Sequence, residues 1–191
     1  LGGVAYVKLR EALGAVAIAL GFFQTLHAAE FDYIVHPDSV TITGHRGDGA
    51  EIVIPDEIEG LPVVRIVGLR QYDYPIHAIR LGRHVSELDS PPFTHVYSLS
   101  NIWVDPLNPT FHSRDGVLFR RKGETLVKFP RRKSAARYEI PDGVTAVEES
   151  GFLHCWSVES VSMPSSLVKL GPSAFHGCGL MTNIAIVEGL A

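Results

Sequence analysis

A pattern of 23 residues recurs in the C-terminal part of the chain and constrains its fold more than any other feature. The recurring pairs are Pro141 and Pro164, Phe152 and Phe175, and Cys155 and Cys178. A solenoid stacks one structural unit on copies of itself, whereas a globular enzyme core has no reason to repeat at a fixed step. The repeat therefore predicts a solenoid.

The same register extends the repeat towards the N-terminus. Two steps are longer than 23 residues, because 27 residues separate Ile54 from Leu81 and 36 separate Val104 from Ile140. Insertions in a solenoid form loops without breaking the stack. We predict six rungs, ending near Ile54, Leu81, Val104, Ile140, Met163 and Ile186.

The segment 1–29 is predicted to be a secretion signal. Lys8 and Arg10 precede an apolar run at residues 12–23, and small residues follow at Ala28 and Ala29. The apolar run is too short for a helix to cross the ~30 Å hydrocarbon core of a bilayer. An uncleaved anchor or a buried amphipathic helix is the alternative. We expect a secreted or cell-surface protein with no transmembrane span in the mature chain.

Two β-hairpins are predicted outside the regular rungs. In residues 30–50, apolar positions alternate on both sides of a Pro37-Asp38 turn, which predicts a hairpin that caps the solenoid, followed by a loop. Within an insertion at residues 108–137, the runs 117–119 and 125–129 predict a projecting hairpin.

The solenoid itself is assigned to residues 51–191. No polar unit covers its last rung, so we expect either further repeats beyond this chain or end-to-end self-association.

One unit resembles the BspA-type leucine-rich repeats of bacterial surface proteins. The residues that carry the likeness are Met163-Pro164, Leu167, Leu170, Ala174-Phe175, Cys178, Met181, Ile184 and Ile186. The resemblance implies a right-handed arc with a parallel sheet on its concave face. This sequence departs from the pattern at Gly82, where the rung proline would stand, and at Val96, where the cysteine would stand.

Strand alternation on that concave sheet predicts which side chains face outward. Trp103 is the most informative, since an exposed aromatic residue near arginines is typical of a binding hot spot. The alternative is a tryptophan that packs on its own sheet or on the inserted hairpin. The predicted ligand-binding residues are Arg80, Asn101, Trp103, Arg137, Glu139, Ser160, Ser162 and Asn183.

A run of basic residues offers a second candidate surface, for sulfated glycans, lipopolysaccharide or other polyanions. A solvated hairpin surface is the alternative. The whole chain has a net charge of −4, so we expect no nucleic-acid partner. The candidate polyanion-binding residues are Arg120, Arg121, Lys122, Lys128, Arg131, Arg132 and Lys133.

The remaining motifs indicate no metal, cofactor or catalytic site. Cys155 and Cys178 share a column on adjacent rungs, where a disulfide is conceivable, but two buried thiols are favoured. Their spacing from His154 and His176 fits no usual zinc site. The sequence therefore predicts a non-enzymatic domain that binds a protein or glycan. A structural spacer in a larger envelope protein and a hydrolase with a site built from distant residues are the alternatives.

Overall fold

The computed structural model describes residues 30–70, 74–122 and 124–186, so the predicted secretion signal lies outside the described residues. Within the described part, no helix is long and apolar enough to cross a membrane. The strands are β1 (Phe31–Val35), β2 (Val40–His45), β3 (Glu51–Val53), β4 (Glu57–Ile58), β5 (Leu61–Ile66), β6 (Ala78–Leu81), β7 (Glu87–Leu88), β8 (Asn101–Val104), β9 (Phe111–Arg114), β10 (Val117–Arg120), β11 (Thr125–Lys128), β12 (Arg137–Glu139), β13 (Ala146–Val147), β14 (Ser160–Met163), β15 (Lys169–Leu170) and β16 (Asn183–Ile186).

Six strands form the side of the solenoid that was predicted to be concave. Strands β3, β6 and β8 make one parallel sheet, here called front sheet 1, and β12, β14 and β16 make another, front sheet 2. The predicted columns are confirmed within each sheet, with Ile79 opposite Ile102 and Tyr138 opposite Val161. A slip of one residue would turn the buried residues to solvent, so the repeat pattern fixes this register.

The two front sheets are separate because the turn between β9 and β10 lies along β8. The amide of Ile102 donates to the carbonyl oxygen of Gly116 at 2.9 Å, and the amide of Val104 donates to Ser113 Oγ at 3.2 Å. Gly116 has a φ of 73°, and a Cβ there would lie 2.5 Å from the Asn101 Oδ1 atom. Glycine is therefore required where this turn meets the front sheet.

The opposite side of the solenoid also carries two sheets. In back sheet 1, β2, β5 and β7 are parallel, and β1 pairs antiparallel with β2 as the predicted N-terminal hairpin. This hairpin lies at the edge of back sheet 1 with Phe31 in the core. Back sheet 2 has the order β15-β13-β11-β10-β9.

The insertion does not project from the solenoid, contrary to the prediction. Its strands β10 and β11 pair antiparallel, but β11 also pairs parallel with β13 and so belongs to back sheet 2. Leu118 and Val127 pack into the core of the first three rungs, whereas Phe119 and Leu126 pack into the core of the last three. The insertion is a wall between two cores, buried on both faces.

The C-terminal core is built around a column of stacked rings. The ring centroids of Phe129 and Phe152 are 5.0 Å apart, and those of Phe152 and Phe175 are 4.9 Å apart. The two cysteines lie beside this column as free thiols. Cys155 donates to the carbonyl oxygen of Phe129 at 3.7 Å, and Cys178 donates to that of Phe152 at 3.0 Å. Two buried thiols were favoured, and both thiols are free, but only Cys155 is buried, whereas Cys178 is half-buried.

Candidate binding surfaces

Front sheet 1 presents Trp103 and Arg80 side by side on its outer face. They are paired in register on adjacent parallel strands, and the Trp103 side chain is 38% exposed. Arg80 Nε donates to Glu51 Oε1 at 2.5 Å, which draws the guanidinium towards β3. The two side chains border a shallow cleft of about 390 Å³, which Val53 and Pro106 also line. Half-exposed apolar surface next to an oriented charge is typical of a binding site.

The floor of this cleft explains why Gly82 replaces the rung proline. A Cβ on Gly82 would lie 2.7 Å from Asp56 Oδ1 and 3.1 Å from the carbonyl oxygen of Ile54. The same Asp56 carboxylate accepts from the amide of Arg83 at 2.7 Å and pairs with the Arg83 guanidinium. Because Gly82 has no side chain, the Asp56 carboxylate can approach closely and stabilise the bend at the end of β6.

The eight predicted concave residues do not form one surface. Arg80, Asn101 and Trp103 belong to front sheet 1, and the other five belong to front sheet 2. On front sheet 2, Arg137, Glu139 and Asn183 are exposed and the two serines are half-buried. The β9–β10 turn lies along β8 and separates the two groups.

Three of the seven predicted polyanion-binding residues are engaged within the fold. Lys128 is 3% exposed and donates to the carbonyl oxygen of Ser150 at 3.1 Å, and burial lowers its pKa to about 8. Arg120 pairs with Glu148 at 3.0 Å. Arg121 Nε donates to the carbonyl oxygen of Asn108 at 2.9 Å. Assigning Lys128 to the surface was wrong, since β11 is buried on both faces.

Arg131 and Arg132 instead join two aromatic side chains in what we call the Arg131 cluster, consisting of Tyr97, Arg131, Arg132 and Trp156. The Arg131 guanidinium carbon lies 5.1 Å from the Tyr97 ring centroid and 4.5 Å from the Trp156 centroid. The Arg132 guanidinium carbon lies 5.0 Å from the Trp156 centroid. The rings remain 48% and 43% exposed. A guanidinium stacked on aromatic rings is held in one orientation and keeps its charge.

Comparison with known families and structures now assigns the repeats. The family described as BspA type leucine rich repeat region matches residues 128–191. Residues 128–191 carry BspA-type leucine-rich repeats. No curated protein matches it.

Two crystal structures show the same leucine-rich-repeat fold. The pneumococcal vaccine antigen PcpA has a TM-score of 0.55 and 21% sequence identity, covering 71% of this chain and 38% of that chain. A leucine-rich repeat protein from Eubacterium ventriosum ATCC 27560 has a TM-score of 0.53 and 14% identity, covering 71% of this chain and 42% of that one. The chain thus spans less than half the length of these two proteins.

The sequence reasoning missed the Arg131 cluster, although the alignment of the repeats places its two aromatic residues at equivalent positions. Val96 and Cys155 occupy one column, so Tyr97 and Trp156 also share a column one residue later. The prediction used only the column of Val96 and Cys155, whose side chains were expected to be buried. A search of the next column for exposed aromatic residues would have found both rings, although not the arginine between them.

The last described rung of the repeats leaves apolar side chains exposed. Ile184 is 47% exposed and Ile186 is 73% exposed, although the equivalent Val161 and Met163 are buried one rung earlier. An open cleft of about 430 Å³ beside them is lined by Phe175, Cys178 and Met181. End-to-end association through this rung stays a prediction.

Proposed function

We propose that this leucine-rich-repeat domain binds a protein ligand on front sheet 1, through the cleft between Arg80 and Trp103, and that it acts without catalysis at the cell surface or after secretion. One observation carries the proposal. A tryptophan stands half-exposed on a sheet face beside an arginine that Glu51 orients. Tryptophan and arginine are the residue types that most often dominate binding energy at protein interfaces.

The composition of the cleft favours a protein over a small molecule. Its lining alternates apolar side chains with charged groups, including Asp56 and Asp105. The opening is shallow, and its lining comes from all three strands of front sheet 1, β3, β6 and β8. A broad face with one aromatic anchor suits a partner that covers several strands.

The chain contains only two tryptophans, which supplies a matched control. Trp103→Ala is expected to weaken binding at least about 10-fold, because truncation of a central anchor removes most of its contact energy. Trp156→Ala removes an equally exposed ring from a different surface and should leave this binding unchanged. Affinities would be measured by biolayer interferometry against purified extracellular-matrix and envelope proteins.

Two results would overturn the proposal. Absence of saturable binding to any of these proteins at micromolar concentration would favour a structural spacer. Equal losses in the two tryptophan variants would show that the partner does not use front sheet 1. Circular dichroism of both variants establishes that they are folded.

A further inference from the structure

The Arg131 cluster brings two arginine side chains together beside two aromatic rings. Among the described residues, ion pairs join Arg65, Arg80, Arg83 and Arg120 to carboxylates, whereas none involves Arg131 or Arg132. Arg131 Nε is buried and has no hydrogen-bond partner in the described part of the chain. A buried donor without a partner is costly and rare. Because this Nε atom is closed to solvent, a ligand would use the remaining guanidinium nitrogens of Arg131 and the exposed side chain of Arg132.

The pKa shifts of Arg131 and His154 also indicate a positive potential at the Arg131 cluster. Burial, together with Arg132, lowers the pKa of Arg131, although Tyr97 opposes this effect. Burial lowers the pKa of His154, and the positive charge of Arg131 lowers it further. Two guanidinium groups within about 5 Å of one indole ring repel each other. An anion between them would relieve that repulsion.

The aromatic rings restrict which anion fits. Tyr97 and Trp156 hold the Arg131 guanidinium within cation–π distance of both rings, and the exposed Arg132 lies beside Trp156. The exposed halves of both rings present apolar surface next to these arginines. A sugar ring offers C–H groups for such a surface, and a sulfate substituent offers several acceptor oxygens for a guanidinium fork.

From this geometry we propose that the Arg131 cluster is a binding site for sulfated glycans, with a sulfate group held between Arg131 and Arg132 and the sugar ring against Trp156. The site uses none of the residues of front sheet 1, so it stands or falls independently of the proposed protein binding.

A variant with Trp103→Phe leaves Trp156 as the sole tryptophan and makes its fluorescence a local probe. Titration with a heparin-derived oligosaccharide should change Trp156 emission saturably at micromolar concentration, and the affinity should fall as salt is raised. Arg132→Gln, a change at an exposed residue, should weaken binding at least about 10-fold because a charged hydrogen-bond donor is lost. The matched control Arg65→Gln removes an exposed arginine on back sheet 1 and should have no effect.

The nature of the ligand is tested with three further probes. Inorganic sulfate should bind far more weakly than the oligosaccharide, because it lacks the sugar ring. The desulfated oligosaccharide should not bind. Equal binding of the desulfated sugar, equal binding of polyglutamate, or an unchanged affinity in Arg132→Gln would each overturn the proposal.

Discussion

The first three rungs and the last three share one backbone plan but differ in what they expose. Front sheet 1 has a cleft with Trp103 and Arg80, whereas front sheet 2 has Glu139, Ser162 and Ala185 in the equivalent column. The cores differ as well, since aliphatic side chains dominate the first and the stacked rings of Phe129, Phe152 and Phe175 organise the second. The repeat therefore fixes the scaffold and leaves its surface to vary.

The wall formed by β10 and β11 determines how far these halves are independent. Because alternate residues of β10 pack into different cores, unfolding one half exposes one face of the wall. We therefore expect the two halves to unfold together. The two tryptophans report on them separately, since Trp103 lies in the first half and Trp156 in the second.

Phe152→Ala should have the largest effect and tests that coupling directly. Phe152 is fully buried between two other rings, so its truncation should cost about 3–5 kcal/mol of unfolding free energy. Urea unfolding would be followed through each tryptophan in single-tryptophan backgrounds. Both transitions should move to lower urea together. A shift confined to Trp156 would show that the halves unfold separately.

Asn108→Ala tests the junction between the first half and the insertion. Asn108 is 1% exposed; its Nδ2 donates to the carbonyl oxygens of Gly82 and Val85, and its Oδ1 accepts from the amides of Thr110 and Phe111. Losing these bonds leaves buried polar groups unpaired, at a cost of roughly 2–3 kcal/mol.

The control for this junction is Asn183→Ala, a change at an exposed residue that should alter stability by less than about 0.5 kcal/mol. Both variants would be compared with the unmodified chain by urea unfolding. Equal midpoints for the two variants would contradict a structural role for Asn108.

Lys128→Met should have a smaller effect that depends on pH. The pKa of Lys128 is lowered from 10.5 to about 8 in the folded protein. Below about pH 8, Lys128 is protonated in both the folded and the unfolded chain, so the folded protein bears the full cost of burying the charge. Between the two values the folded protein has lost the proton while the unfolded chain keeps it, so stability rises with pH.

The unfolding free energy of the unmodified chain should therefore rise relative to that of Lys128→Met, by up to about 1.4 kcal/mol per pH unit. Urea unfolding at several pH values between those limits measures the difference. Parallel pH profiles for the two proteins would show that Lys128 titrates normally and is not buried.

The repeat in the sequence was sufficient to predict the register of both front sheets, and the alternation around the Pro37-Asp38 turn predicted the N-terminal hairpin. Periodicity reports which residues share a column, and stacking requires equivalent residues to pair. The same period could not place the insertion, because its extra length carries no register. Its apolar runs, Val117-Leu118-Phe119 and Leu126-Val127, did contain a usable signal, since strands buried on both faces are continuously apolar.

By itself, the sequence determined the solenoid, its rungs and the outward position of Trp103. Only the tertiary structure decided that Lys128 is buried, that the front sheet is divided at Gly116, and that Arg131 lies between Tyr97 and Trp156. The physical reason is that a repeat encodes contacts between equivalent positions. A charged residue's burial and its stacking partners depend on contacts between positions that are not equivalent, and chain folding alone brings those together.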